Sequence, residues 1–170
     1  MLSDARPGDQ ALDVGCGTGY LARLMVTAVG PGGRVTGVDP SPPVIDYARR
    51  AAPRNCSFVL GEAQQLEFPD SSFDVVTSSL AVHHIPPEVC PAALTEMFRV
   101  LRPDGRLLVA DFRPPTNPLA RRLVGALAGP TMSRNQVSLL HELTGDAGFH
   151  IKDHGDIRPC LHYIRATRSA

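Results

Sequence analysis

The stretch Leu12-Asp13-Val14-Gly15-Cys16-Gly17-Thr18-Gly19-Tyr20 constrains this chain more than any other. An apolar run over residues 11–15 ends in glycines. It leads into a pattern over 20–29 in which Leu21, Leu24, Met25 and Ala28 share one helical face. A strand, a glycine turn and a helix in that order open a doubly wound α/β sheet, and such sheets bind ligands at the carboxyl ends of their strands. Glycine lets the backbone turn tightly and come close to a bound molecule. The helix start behind it presents N–H groups that a carboxylate or phosphate can use. The spacing separates two cofactor types. A dinucleotide fingerprint reads G-x-G-x-x-G. Gly15 and Gly17 fit it, but the third place holds Tyr20 and the glycine comes one residue early, at Gly19. A tyrosine there blocks the close approach that a dinucleotide needs. Asp13, beside the turn, is awkward next to a pyrophosphate and useful next to an ammonium group.

The alternation continues along the chain. Strands are predicted over 34–38, 56–60, 73–78 and 106–112. Helices are predicted over 42–52, capped by Ser41, and over 88–101, with a turn at Pro103-Asp104-Gly105. This order implies parallel strands under helical crossovers, hence a sheet covered on both faces. Past Phe112 the character changes. Residues 113–135 are rich in proline and glycine and carry an amphipathic piece over 119–127, a candidate substrate lid. A helix is expected over 136–147. Strands over 150–157 and 160–167 are joined so closely, by Arg158-Pro159, that they must be antiparallel.

All 170 residues read as one domain. The formal net charge of zero gives no field to attract a nucleic-acid backbone or an anionic membrane, so neither is expected as a partner. Cys16, Cys56, Cys90 and Cys160 have no metal-site spacing and read as reduced thiols. With no signal-like or membrane-spanning apolar run, a cytoplasmic protein is expected.

Two further acids stand at strand ends. Asp39 ends the second strand, about twenty residues beyond the loop, where an acid accepts hydrogen bonds from ribose hydroxyls. Glu62, followed by Ala63, ends the third, where a carboxylate can accept from an adenine amino group. Further motifs follow in order: Phe68-Pro69-Asp70-Ser71-Ser72-Phe73-Asp74, His83-His84-Ile85 and Phe98-Arg99-Val100-Leu101-Arg102-Pro103-Asp104-Gly105. Across residues 11–112 the chain resembles the class I S-adenosylmethionine-dependent methyltransferases, in the broad small-molecule group that includes the quinone-biosynthesis C-methyltransferases.

That resemblance implies a Rossmann-like, doubly wound, mostly parallel seven-stranded sheet in the order 3-2-1-4-5-7-6, with a C-terminal antiparallel hairpin. It implies S-adenosylmethionine as cofactor and a small molecule as substrate. Asp13 and the backbone of Gly15, Cys16, Gly17 and Gly19 would hold the methionine end. Asp39 would bind the ribose, Pro40 would pack on adenine, Glu62 and Ala63 would read its edge, and Ser79 would line the methionine pocket. The chain departs from the family at Glu62, usually Asp, and at Asp104, usually Gly. Only about ten residues precede the first strand, where relatives carry a helical cover. The expectation that follows is a homodimer whose partner closes the site. The alternatives are a lid from 113–135 and a natural protein longer than this chain.

His83 and His84 follow the fourth strand on the ligand side and are the candidate catalytic bases. The alternative is that they shape the pocket wall, since an activated methyl group needs mainly alignment and exclusion of water. Asp74, at the start of that strand, reads as structural. His141, His150, His154 and His162, with Asp153 and Asp156, match no metal motif, and alternating strand faces are expected to scatter them, so no metal is expected. Thr77-Ser78-Ser79-Leu80 lacks the Asn-Pro-Pro-Tyr type of stretch found in enzymes acting on base or glutamine amino groups. Two other classes stay open: a module that binds cofactor without turnover, and a nucleotide-dependent oxidoreductase, against which Tyr20 stands.

Overall fold

β1 (Gln10–Val14) is buried on both faces, as an unbroken apolar run in a parallel sheet must be. In the computed structural model, which describes residues 3–113, 117, 137–158 and 160–169, this strand is the middle of the parallel part of the sheet. It pairs in parallel with β2 (Arg34–Asp39) on one side and β4 (Phe73–Ser79) on the other. β3 (Cys56–Leu60) extends the sheet beyond β2, and β5 (Leu101–Phe112) beyond β4. β6 (Phe149–Ile157) and β7 (Leu161–Arg168) form an antiparallel hairpin that joins through β7. The order β3-β2-β1-β4-β5-β7-β6 is the one the resemblance implied.

Alternate residues feed two cores. Ala11, Val35, Phe58 and Val75 pack with Met25 and Val29 of α1 (Tyr20–Val29) and Ile45 and Ala48 of α2 (Pro42–Arg50). Leu12, Val76, Leu107, Val109 and Ile164 pack on the other face with Leu94 and Met97 of α3 (Cys90–Val100) and Leu140 of α4 (Val137–Asp146). Among the described residues no helix is long and apolar enough to cross a membrane.

Two local expectations change. Ser41 occupies the N-cap of α2 but makes no side-chain cap bond. Pro42 and Pro43 lack the early amides, so Val44 N–H bonds the Ser41 carbonyl (3.1 Å), and Ser41 N–H is itself taken by Asp39 Oδ1 (3.0 Å). Pro103-Asp104-Gly105 does not separate helix from strand. β5 begins directly after α3, and the ladder jumps from Phe73↔Leu101 to Val75↔Arg106, so residues 102–105 bulge out of it. Asp104 takes a left-handed φ of 61° there. A second irregularity lies in β6 between Ile151 and Asp153. The amphipathic piece over 119–127, and all of the candidate lid except Arg113 and Asn117, fall outside the described residues.

Candidate active site

The parallel strands end at one edge, and there the glycine loop is pinned to the end of β2. The Val38 carbonyl accepts from Gly15 N–H (2.8 Å) and Cys16 N–H (3.0 Å). Gly17 N–H donates to Asp39 Oδ2 (3.0 Å), and Gly19 N–H to the Cys16 carbonyl (2.9 Å). Gly15 has φ 71°, and a Cβ on it would lie 2.3 Å from the Cβ of Ala81. Glycine is therefore required both by the turn and by the close approach of the chain after β4.

A cavity of about 630 Å³ opens beside this loop, within the range of small-molecule sites. Gly15, Gly17, Asp39 and Pro40 form one wall, and Glu62 and Ala63 another. Leu80, Ala81, His84 and Ile85 close the side reached by β4. Leu80 holds a left-handed φ of 54° within that lining, a strain that fits a functional position. Asp39 is held by the amides of Gly17 and Ser41, and no cation among the described residues pairs with it. Each of its oxygens keeps a further lone pair for a ligand. The exposed Glu62 accepts a hydrogen bond from Gln64 Nε2. The segment after Glu62 is tied down by α3: Arg99 donates to the carbonyls of Leu66 and Phe68 (both 2.8 Å) and to Asp70 (2.7 Å).

Of the residues singled out from sequence, Gly15, Gly17, Asp39, Pro40, Glu62, Ala63 and His84 meet in this lining, while Asp13, Cys16, Gly19, Ser79 and His83 stand outside it. Cys16 turns into the α1–α2 core, where burial pushes its thiol well up. Gly19 sits against the Phe58 ring at the start of α1. Ser79 ends β4 one residue before Leu80.

Asp13 is buried below the loop. Its Oδ1 accepts from Thr77 Oγ1 (2.9 Å), and its Oδ2 has no partner. Burial pushes its carboxyl up to about 7; the Thr77 hydrogen bond opposes this. Asp74 lies at the opposite edge of the sheet, bound to Gln10 N–H (2.8 Å) and Arg102 (2.6 Å).

His83 is buried against a residue that sequence reasoning missed. Asp111 Oδ1 lies 2.6 Å from His83 Nδ1, and Asp111 Oδ2 accepts His83 N–H (2.8 Å). The signal was an acid closing the apolar run over 107–110, the same kind of signal that marked Asp39. Adjacent His84 is exposed, with the two rings 4.0 Å apart.

The scattering expected of the C-terminal histidines is overturned. Asp156 pairs with His162 across the hairpin and His154 stands two residues from Asp156 on the same face, while the irregularity between Ile151 and Asp153 turns His150 to the other face. His154 then lies on the face of His162, and α4 lays His141 over both. Burial holds the His141 pKa below its ordinary value, and the neighbouring His154 and His162 lower it further.

The fold and this edge define a doubly wound α/β protein with a ligand cavity built on a glycine loop and a strand-end acid. Residues 11–105 match the family model described as a methyltransferase domain, more than half of the chain, and the chain belongs to that family. It is 39% identical over 127 residues to the ubiquinone/menaquinone biosynthesis C-methyltransferase UbiE of Ectopseudomonas mendocina, covering 72% of this chain and 49% of that one. It is 41% identical over 115 residues to a demethylmenaquinone methyltransferase of Symbiobacterium thermophilum, covering 65% and 45%. The chain thus spans about half the length of these curated relatives. A crystal structure of a SAM-dependent methyltransferase from Aquifex aeolicus superposes with a TM-score of 0.82 at 19% identity, over 98% of this chain and 86% of that one, a likeness of fold.

Proposed function

We propose that this chain transfers a methyl group from S-adenosylmethionine to a small-molecule acceptor, a carbon of a quinone-type ring in keeping with the names of its relatives. One observation carries the reading. The amides of Gly15, Cys16, Gly17 and Gly19 are spent on the protein's own acceptors, while the Asp39 carboxylate faces the cavity without a cation. A pyrophosphate needs free amides. A ligand with a ribose diol and a cationic amino-acid arm needs acceptors, and acceptors are what this wall supplies.

The residues present fit that cofactor. Asp39 would accept from the ribose hydroxyls, Pro40 would cover one adenine face, and Glu62 with the Ala63 backbone would meet its edge. Gly15 and Gly17 would let the methionine arm lie against the backbone; a Cβ on Gly17 would enter open space. Asp13, buried below the loop with one oxygen unpartnered, would add negative potential under the cationic arm once ionised, above about pH 7. Ser79 would set the position of Leu80 and Ala81 at the methionine end.

When bound, S-adenosylmethionine supplies an activated methyl group. The protein's part is to align the acceptor and exclude water. Leu80, Ile85, Pro86 and Val89 make the apolar side that a flat ring would pack against. His84, exposed in the lining, is placed to take a proton from the acceptor. His83 is a positioning residue, locked by Asp111 and shaping the turn that carries His84.

The same reading places the protein in the cytoplasm, where its free cysteines, three of them buried, stay reduced. It includes no nucleic-acid partner, in keeping with the zero net charge. It also includes self-association. Tyr20, Tyr47, Leu60 and Leu80 are exposed apolar side chains that a second copy would cover, and a monomer in light scattering removes this part. The test of the function is direct. Tritium from methyl-labelled S-adenosylmethionine should appear in an extracted demethylmenaquinone-type acceptor. Binding of S-adenosylhomocysteine with no transfer to any acceptor would make the chain a cofactor-binding module. Preference for a nicotinamide dinucleotide would make it an oxidoreductase.

A further inference from the structure

We propose that His141, His154 and His162 form a binding site for one divalent transition-metal ion of the zinc class, which joins α4 to the terminal hairpin. The three side chains come from three elements, and the ligand atoms they offer all lie within 4.8 Å of one another. Two are already close: His141 Nε2 and His162 Nε2 stand 3.0 Å apart. Nitrogens about 2.0–2.1 Å from a zinc ion are separated by about 3.3 Å in a tetrahedral site, so this pair needs only a small opening to admit the ion. His154 is the exposed member, on a surface strand, and a turn of its side chain brings the third nitrogen in.

The surroundings of His162 are those of a metal ligand. It is buried, and its Nδ1 lies 2.7 Å from Asp156 Oδ1. Asp156 is in turn paired with the Arg113 guanidinium, a partner for an ionised carboxylate. An ionised carboxylate can only accept, so His162 donates through Nδ1–H and turns the lone pair of Nε2 toward His141. A carboxylate that orients a histidine in this way fixes its tautomer and strengthens it as a donor. Without an ion, two ring nitrogens share one proton, and three imidazoles crowd with ring centroids 4.4–5.7 Å apart. An all-imidazole set selects zinc, copper or nickel over magnesium or calcium and leaves a fourth position for water.

The site does not depend on the proposed methyl transfer, and its test needs no turnover. Full-length protein freed of metal with a chelator is titrated with zinc chloride by calorimetry, then loaded with cobalt(II) for visible absorption and copper(II) for electron paramagnetic resonance. The expected result is one zinc per chain, nitrogen hyperfine structure from copper, and a rise in Tm on zinc addition. His154→Ala, at an exposed position that leaves the fold intact, should weaken zinc binding at least tenfold. Asp156→Asn should weaken it about 10–100-fold. His150→Ala, on the opposite face of β6, should leave it unchanged. Absence of stoichiometric zinc binding by the folded protein overturns the proposal. So does binding that survives both His154→Ala and His162→Ala.

Discussion

Replacing Asp13 by asparagine tests what a buried carboxyl without a cation costs this fold. Asp13 is 1% exposed, one of its oxygens accepts from Thr77, and the other has no partner. Burial raises its carboxyl from the ordinary 3.8 to about 7. The folded protein therefore holds this proton more tightly than the unfolded chain does. The contribution to stability is fully present below about pH 3.8, declines as pH rises, and is lost above about pH 7. At about 1.4 kcal/mol per pH unit, the loss across that window is at most about 4.5 kcal/mol, large against a typical total of about 5–15 kcal/mol.

Asparagine keeps the shape and the acceptor for Thr77 but carries no charge. Its NH₂ group takes the unpartnered place, at a cost of about 1–3 kcal/mol. Asp13→Asn should therefore be less stable than the parent near pH 4 and more stable at pH 8. Urea unfolding of both proteins at several pH values gives the difference directly, and the other titrating groups cancel in it. A difference that stays flat between pH 5 and 8 would refute the burial argument.

Other variants address the site. Gly15→Ala should abolish cofactor binding and lower stability: the left-handed backbone alone costs about 1–2 kcal/mol, and the new Cβ meets that of Ala81; a normal melting curve with unchanged affinity would contradict the packing. Asp39→Ala should weaken S-adenosylhomocysteine binding by about 10–150-fold, from the loss of charge-assisted bonds of about 1.5–3 kcal/mol, as read by calorimetry. It should also lower Tm, because the Gly17 and Ser41 amides lose their acceptor. His84→Ala should cut the methyl-transfer rate by about 10²–10⁴ with cofactor affinity nearly unchanged if it removes the acceptor's proton; a loss below tenfold makes it a wall residue. Asp111→Asn and His83→Ala should move activity in parallel and shift the pH profile of kcat, with Asp111→Asn also lowering Tm; independent effects in the double variant would separate the two residues.

What sequence determined by itself was the local and the periodic. The order of strand, glycine turn and helix, the acid at the end of β2, and the antiparallel hairpin forced by a short connection are consequences of neighbours along the chain. They could be placed within a residue or two before any fold was known. The glycine loop was legible because backbone conformation is chosen locally: no other residue suits both the left-handed turn and the close approach at Gly15. Tertiary structure decided what depends on register and on which face a residue joins. Val38 and Asp39 consume the loop amides that looked available for a ligand, because β2 lies beside β1 in one particular register. Asp13 and Cys16 turn inward rather than toward the cavity. His83 meets Asp111 across 28 positions of sequence. The terminal histidines are the sharpest case, since the irregularity at Ile151–Asp153 turns His150 away from the face that carries His154. Nothing along the chain fixes the pair Asp156↔His162, which sets the relation of His154 to His162. The folded ladder puts them on one face and brings a helix histidine down onto them.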